Sequence, residues 1–428
     1  MTIANSKIGV LYTAGLIAVA CFPLFKVHWN SYAILFLGII GIYNSFNSGA
    51  RREQLWVNWI ENKKLFWVSI LFILPLVFSL GYSTNLKSGL KNIQHILPIV
   101  VFPLLFYFLL PRLNERRVNI FLCSFLVACI MHIIILHWQF YSLGLYDNFL
   151  GATFYKLPFR EAVFNFRYES LHPSYISLWY CLAICITFRI IYNFGSVAIR
   201  VAGVFTIAVL LLTIVLLSSR IAFLCLVGLA IYSITLVKNR MVMVGLGAVF
   251  LILVLFSVTQ ISFVSSRVID EFKQTEFGPP VGKKHNSVNI RIGIYKCAIS
   301  LSKTNFLFGV GFGDVQDELD KCYEQYDTDV YLRDNYNSHS YFFHVLLGAG
   351  IFALAGLVYM FYFFLALAQK KKAYLYICFL LIIIIGMLFE NTLSRNHGVL
   401  FFALFNSVFL SYYQINCNNA NGGYSTLS

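Results

Sequence analysis

Long apolar runs separated by short polar turns decide what this 428-residue chain can fold into. Of its residues, 59% are hydrophobic and 12% charged, and the mean hydropathy is +0.75. A soluble chain of this length needs far more polar surface, whereas repeated apolar runs of about 17–25 residues are what a bilayer asks of a helix. We read about twelve spans, at roughly 8–25, 31–46, 65–82, 93–110, 118–143, 171–191, 197–217, 220–237, 241–263, 339–367, 373–390 and 396–413. Pro75, Pro98 and Pro103 fall inside spans, where neighbouring helices can satisfy the freed backbone groups. The first run has no small-residue cleavage site followed by a soluble domain, so it is expected to stay. The expected fold is an all-α polytopic membrane protein, with one transmembrane domain over 1–413 and a cytoplasmic tail over 414–428.

Charge gives the orientation. With the N-terminus inside, the inner loops hold Arg51, Arg52, Lys63, Lys64, Arg112, Arg116, Arg117, Lys238, Arg240 and Lys370 to Lys372. Their only acids are Glu53, Glu61 and Glu115, so 15 of the 18 acids fall on the other side. This asymmetry predicts cytoplasmic termini. It also accounts for the net charge of +14 without any nucleic-acid partner, leaving attraction to anionic membrane lipid as a secondary effect.

Two outer connections are long, roughly 144–170 and 264–338, the second lying between spans nine and ten. Loops of this length without repeats or Gly/Ser bias tend to carry function. In the second, SVNIRIGIYKCAISLSK spaces Ile290, Ile294, Cys297, Ala298 and Leu301 as one face of an amphipathic helix. That helix is expected to lie against the bilayer or the bundle. The following FLFGVGFGD (306–314) lacks the strand and the GK[ST] of a phosphate loop, so a tight turn is expected. The acidic 314–329 stretch fails the calcium-loop pattern and reads as a solvated face. Cys297 and Cys322 share this loop and could pair in an oxidising compartment, although spacing alone does not require it. No credible metal-ligand spacing occurs.

Charges beside a membrane are costly and need a reason. Arg220 lies between two apolar runs at the outer boundary of spans seven and eight, as a snorkelling residue or as an anion clamp. Arg291 projects from the amphipathic helix and could contact a headgroup or hold a phosphate. Glu390 and Arg395 flank an outer turn and are expected to form a structural ion pair. His172 precedes Pro173 at the start of span six, where capping or packing is expected. His339 stands where the large outer loop enters span ten, with the positive end of a helix and arginines nearby, a setting for a general base. His344, inside the apolar run, is expected to be a hydrogen-bonded core residue.

Taken together, SSRIAF (218–223), NIRIGIYKCAISL with FLFGVGFGD (289–314) and NSHSYFFHVLLGAGIFALAGL (337–357) resemble the O-antigen ligase and polymerase superfamily. LHPSYISLW (171–179) and ENTLSRNHGVLFF (390–402) look like forms found in its Bacteroidetes-type members. The motifs span roughly 170–410, and their order and common membrane side carry the resemblance. Two positions depart from the pattern: Ser340 where asparagine usually follows the histidine, and Ile221 where glycine is common after SR.

The resemblance implies a GT-C-like membrane glycosyltransferase in the bacterial inner membrane, with a large periplasmic loop. It implies transfer of a glycan from undecaprenyl diphosphate to an acceptor hydroxyl, lipid A–core above all, at the periplasmic face. On this expectation His339 is the base, Arg220 and Arg291 bind the diphosphate, and Arg395 or His172 assists. No cofactor or metal is implied, since two guanidiniums can supply the electrostatics and no DxD-like acidic pair lies near the membrane. A polymerase, or a protein-directed O-oligosaccharyltransferase, would use the same chemistry on another acceptor. A flippase or transporter of lipid-linked glycan is the competing class, but its ionisable groups would gather nearer the midplane.

Overall fold

The computed structural model describes residues 7–46, 49–145, 159–166, 171–236, 277–283, 285–333 and 335–415. The expected ninth span, 241–263, lies outside them, as does nearly all of the tail. Every element described is helical. Five helices are long and apolar enough to cross a membrane: Leu86–Leu109, Glu115–Ser142, Pro173–Phe194, Val197–Leu216 and Tyr341–Lys370. A sixth arises if the bent pair Leu55–Ile70 and Ile73–Ser79 is one span. Ile8–Ala20, Arg220–Thr235 and Tyr374–Phe389 are shorter apolar helices. The described chain is thus an all-helical, multi-pass bundle around one large apolar core, with Trp179, Tyr180, Phe379 and Phe405 fully buried.

Three irregularities depart from straight spans. The expected third span, 65–82, bends by 52° between Ile70 and Ile73. The fourth is built from Leu86–Ile96 and Pro98–Leu104 and closes with a π-turn over Leu105–Leu109. Such a turn loosens the carbonyl ladder, and side chains from other helices take up the slack. Ser411 Oγ donates to Phe106 O at 3.3 Å, Asn62 Nδ2 to Tyr107 O at 3.3 Å, Asn58 Nδ2 to Phe108 O at 3.2 Å and Ser45 Oγ to Leu109 O at 3.1 Å. Arg112 and Glu61, both expected inside, pair at 2.8 Å beside this knot.

The third irregularity shapes the opposite end. The helix Tyr341–Lys370 breaks at Ala349 and Gly350. The segment 306–313 fits into the break: Val310 N donates to Leu347 O (2.7 Å), Gly311 N to Gly348 O (3.2 Å) and Ile351 N to Phe306 O (2.9 Å). Three further amides are also engaged, Gly309 N by Asn305 O (2.8 Å), Phe312 N by Ser79 Oγ (3.1 Å) and Gly313 N by Ser83 Oγ (3.2 Å). Glycine is required here for approach as well as for φ. A Cβ on Gly309 (φ +73°) would sit 2.4 Å from Leu347 O, and one on Gly350 (φ +71°) 2.1 Å from Leu307 O. The FGVGFGD run is therefore a backbone suture across a helix break, which goes beyond the tight turn expected from sequence and ties up the amides of 309–313.

Asp314 completes the suture. Its carboxylate accepts from Thr84 N (2.8 Å), Thr84 Oγ1 (2.9 Å) and Asn85 N (2.7 Å). Burial would raise its pKa, but these hydrogen bonds outweigh it and hold the carboxyl below its usual value. For Asp314 the expected solvated face is corrected: the residue is buried and joins the C-terminal end of the bent third span to the large loop. The loop has its own small core, with Ile290, Ile294 and Ala298 of helix Ser287–Thr304 packed among Leu319, Tyr323 and Tyr331. Cys297 and Cys322 are bonded as a disulfide, with Cα atoms 5.8 Å apart. His344 packs its buried ring against Phe312 and Tyr341, but Nδ1 has no hydrogen-bond partner among the described residues, contrary to expectation.

Candidate functional site

The helix Ser287–Thr304 begins with a capping box: Asn286 Oδ1 accepts from Val288 N and Asn289 N, and Asn289 Oδ1 accepts from Asn286 N. This fixes the first turn and hence the directions of Ser287 and Arg291, four residues apart on one face. Arg220 starts the helix after the SSR turn, in which Ser218 takes φ +47°, and its Nη1 donates to Ser287 Oγ at 3.0 Å. The two predicted arginines therefore meet the same face of one helix, about one turn apart.

Arg291 does not stand alone. Its Nη2 lies 2.8 Å from Glu390 Oε1, and Glu390 Oε2 lies 3.3 Å from His339 Nδ1. The second approach is a close polar contact whose alignment falls short of a hydrogen bond. Glu390 is 9% exposed, Arg291 29% and His339 18%, so the carboxylate is the buried centre and the two partners reach outward. Burial by itself would raise the Glu390 pKa. His339, through its close contact, and then Arg291 and His172 by charge, overcome it and hold the carboxyl down to about 2.

The expected Glu390–Arg395 pair is corrected. Glu390 is engaged by Arg291 and His339, while Arg395 is exposed beyond the short turn Thr392–Ser394, near enough to Tyr175 to act on it by charge. Sequence reasoning also put only positive charge around His339, and the structure adds a carboxylate.

His339 is held in an unusual backbone state, φ +43°. Asn337 Oδ1 accepts from its amide (2.9 Å), and Tyr295 OH donates to its carbonyl (3.2 Å). A left-handed histidine costs energy that the surroundings must offset, and such strain gathers at functional positions. On either side, Ser338 Oγ donates to Asn391 Oδ1 (3.0 Å) and Ser340 Oγ to Met387 O (3.4 Å). Ser340, where the family pattern has asparagine, is thus buried in the helix junction.

His172 caps the helix Pro173–Phe194, its Nδ1 accepting from Ser174 N at 3.3 Å. Burial pushes its pKa down to about 4, against the pull of Glu390 and in concert with Arg160, His339 and Arg291. Capping and proximity to the charged cluster hold together for this residue. Arg160, which sequence reasoning did not single out, donates to Leu217 O at 2.9 Å from the short helix Phe159–Phe164. Tyr295 was missed as well, although its place four residues after Arg291 on a helix already predicted was a usable signal. Among the described residues no group of three or more His, Cys, Asp or Glu is arranged to hold a metal ion.

The arrangement offers three chemical functions at one junction: an imidazole with a carboxylate behind it, guanidiniums for an anion, and an N-terminal helix turn. Residues 204–358 match the family model described as O-antigen ligase. No curated protein matches the sequence. The matched stretch contains Arg220, Arg291 and His339, whereas Glu390, His172 and Arg160 come from outside it.

Proposed function

We propose, from the match of residues 204–358 to the O-antigen ligase family model, that the chain is a ligase-type membrane glycosyltransferase. It moves a glycan from undecaprenyl diphosphate to an acceptor hydroxyl, lipid A–core above all, at the periplasmic face of the inner membrane. The twelve-span topology with cytoplasmic termini belongs to the same reading. One observation carries it: Arg291 and His339 occupy opposite oxygens of a single buried carboxylate, Glu390.

With Nδ1 turned to Glu390, Nε2 of His339 is the nitrogen left to meet an acceptor. The acceptor oxygen attacks the anomeric carbon as Nε2 takes its proton. The bond from the anomeric carbon to the phosphate oxygen breaks, and its electron pair leaves with the diphosphate. Glu390 stabilises the imidazolium so formed and keeps the ring oriented, as a buried carboxylate does behind a catalytic histidine. Arg220 and the remaining donors of Arg291 receive the departing charge. The diphosphate binds on the Arg220 side of Arg291, because the Glu390 side would repel it. His172 and Arg395 border the sugar. The two guanidiniums supply the stabilisation of charge, so this scheme uses no metal.

The reading is tested with a gel of surface glycolipid from the native bacterium lacking this gene, beside the complemented strain. Loss of all glycan-bearing lipid A–core, with long chains kept on the lipid carrier, is expected of a ligase. Lipid A–core capped with a single repeat would make the chain a polymerase. An unchanged profile would remove both and point to another acceptor or to transport.

A further inference from the structure

On the far side of the turn that follows Glu390, a pocket of about 290 Å³ opens between three helices. Its walls come from the start of Val27–Phe46, the second half of Leu86–Ile96 and the start of Asn396–Ile415. Its polar groups include the side chains of Asn30, Ser31, Lys91, Gln94, Asn396 and the two histidines 95 and 397, and none of its lining residues is acidic. His95 Nδ1 and Asn396 Oδ1 are in hydrogen-bond contact, which ties two of the walls together. Asn30 is 4% exposed, and while its Nδ2 reaches Phe25 O at 3.4 Å, its Oδ1 has no partner among the described residues. A buried amide oxygen left unmet is a costly state that a ligand hydroxyl would relieve.

We propose that this pocket is a sugar subsite, holding one residue of the glycan away from the bond that forms. Carboxamides, a hydroxyl and imidazoles each donate or accept, which suits a ring bearing several hydroxyls. Lys91 and the lack of any carboxylate favour a neutral or acidic sugar over one with a free ammonium. The volume lies at the small end of ligand pockets and fits a single ring. Ile34, Pro98 and Leu400 add an apolar side, against which the C–H face of a sugar ring can lie. Location adds to the case, because one segment serves both sites: Glu390 faces His339 and Arg291, and Asn396, six residues on across Thr392–Ser394, lines the pocket.

The source of the sugar rests on the transferase reading, but binding is measured without turnover. Purified His339→Ala protein in lipid nanodiscs is titrated by calorimetry with the lipid-free oligosaccharide released from the bacterium's own surface glycolipid by mild acid. Saturable binding is expected, weakened about tenfold or more by Gln94→Trp, which fills the pocket, and several-fold by Lys91→Ala. If Gln94→Trp does not fold, Asn396→Leu takes its place. No binding, or binding unchanged in folded variants, overturns the proposal. So does full competition by inorganic phosphate alone, which would make the pocket an anion site. Persistent turnover by His339→Ala would instead remove the catalytic scheme and leave the pocket result standing.

Discussion

Where 306–313 enters the break at 347–351, the chain is joined by backbone groups, and where Arg291, His339 and Glu390 meet, it is joined by charge. Both junctions tie the large loop to the helices at the same end of the bundle, yet they tolerate change differently. In the first, amides and carbonyls of two segments meet at 2.7–3.2 Å and a single methyl has nowhere to go. In the second, the partners are side chains with 18% and 29% exposure, and a smaller residue leaves space without a clash. The first therefore bears above all on whether the protein folds, and the second on its stability together with what it does once folded.

The largest effect should come from Gly350→Ala. A Cβ 2.1 Å from Leu307 O cannot be absorbed without parting the two segments, so folded protein should be nearly absent on detergent gel filtration. A normal yield would show that the suture is slack. Next, His339→Ala should leave that yield intact and lower turnover by two orders of magnitude or more, about what a general base contributes. Arg291→Ala should cost about a hundredfold to a thousandfold, measured as kcat on a lipid diphosphate donor. Equal losses in yield and turnover for either variant would erase the contrast between the junctions.

Glu390→Gln links folding and activity through pH. The Glu390 carboxyl is depressed from an ordinary 4.5 to about 2, so its stabilisation is complete above about pH 4.5 and fades as pH falls toward about 2. Wild type should exceed Glu390→Gln by roughly 3 kcal/mol in thermal unfolding at pH 7. The gap should narrow only below about pH 4.5, and a gap that closes between pH 7 and 5 would implicate a different group. The smallest effect is expected for Asp314→Asn, about 1–2 kcal/mol from weakened charge-assisted hydrogen bonds, with kcat unchanged.

The same contrast explains what could be read in the sequence. Run lengths and periodicity are local signals, so the helical membrane class was legible, as was the helix whose face carries Ile290, Ile294 and Ala298. The roles of glycines 309 and 350 were not, because what they require is the approach of a segment some 40 positions away, which no local pattern records. Arg220, Arg291 and His339 were singled out because charged or polar residues stand out against apolar runs. Their common partners did not stand out in that way. Glu390 is separated from Arg291 by 99 residues, and its nearest visible cation, Arg395, suggested a local pair. The disulfide stayed open for a similar reason, since 25 residues of separation allow many geometries.

The knot at the opposite end bears on how the protein is made. Ser411 reaches the Phe106 carbonyl across a separation of 305 residues, and the helix carrying it packs along Pro98–Leu104. Until the ribosome has delivered this late helix, that carbonyl and the groove beside it lack their partner inside the bilayer. The early helices must therefore wait, half-assembled, through most of translation. A cell's membrane quality control could recognise a truncated product by this open seam, long before its missing chemistry would be noticed.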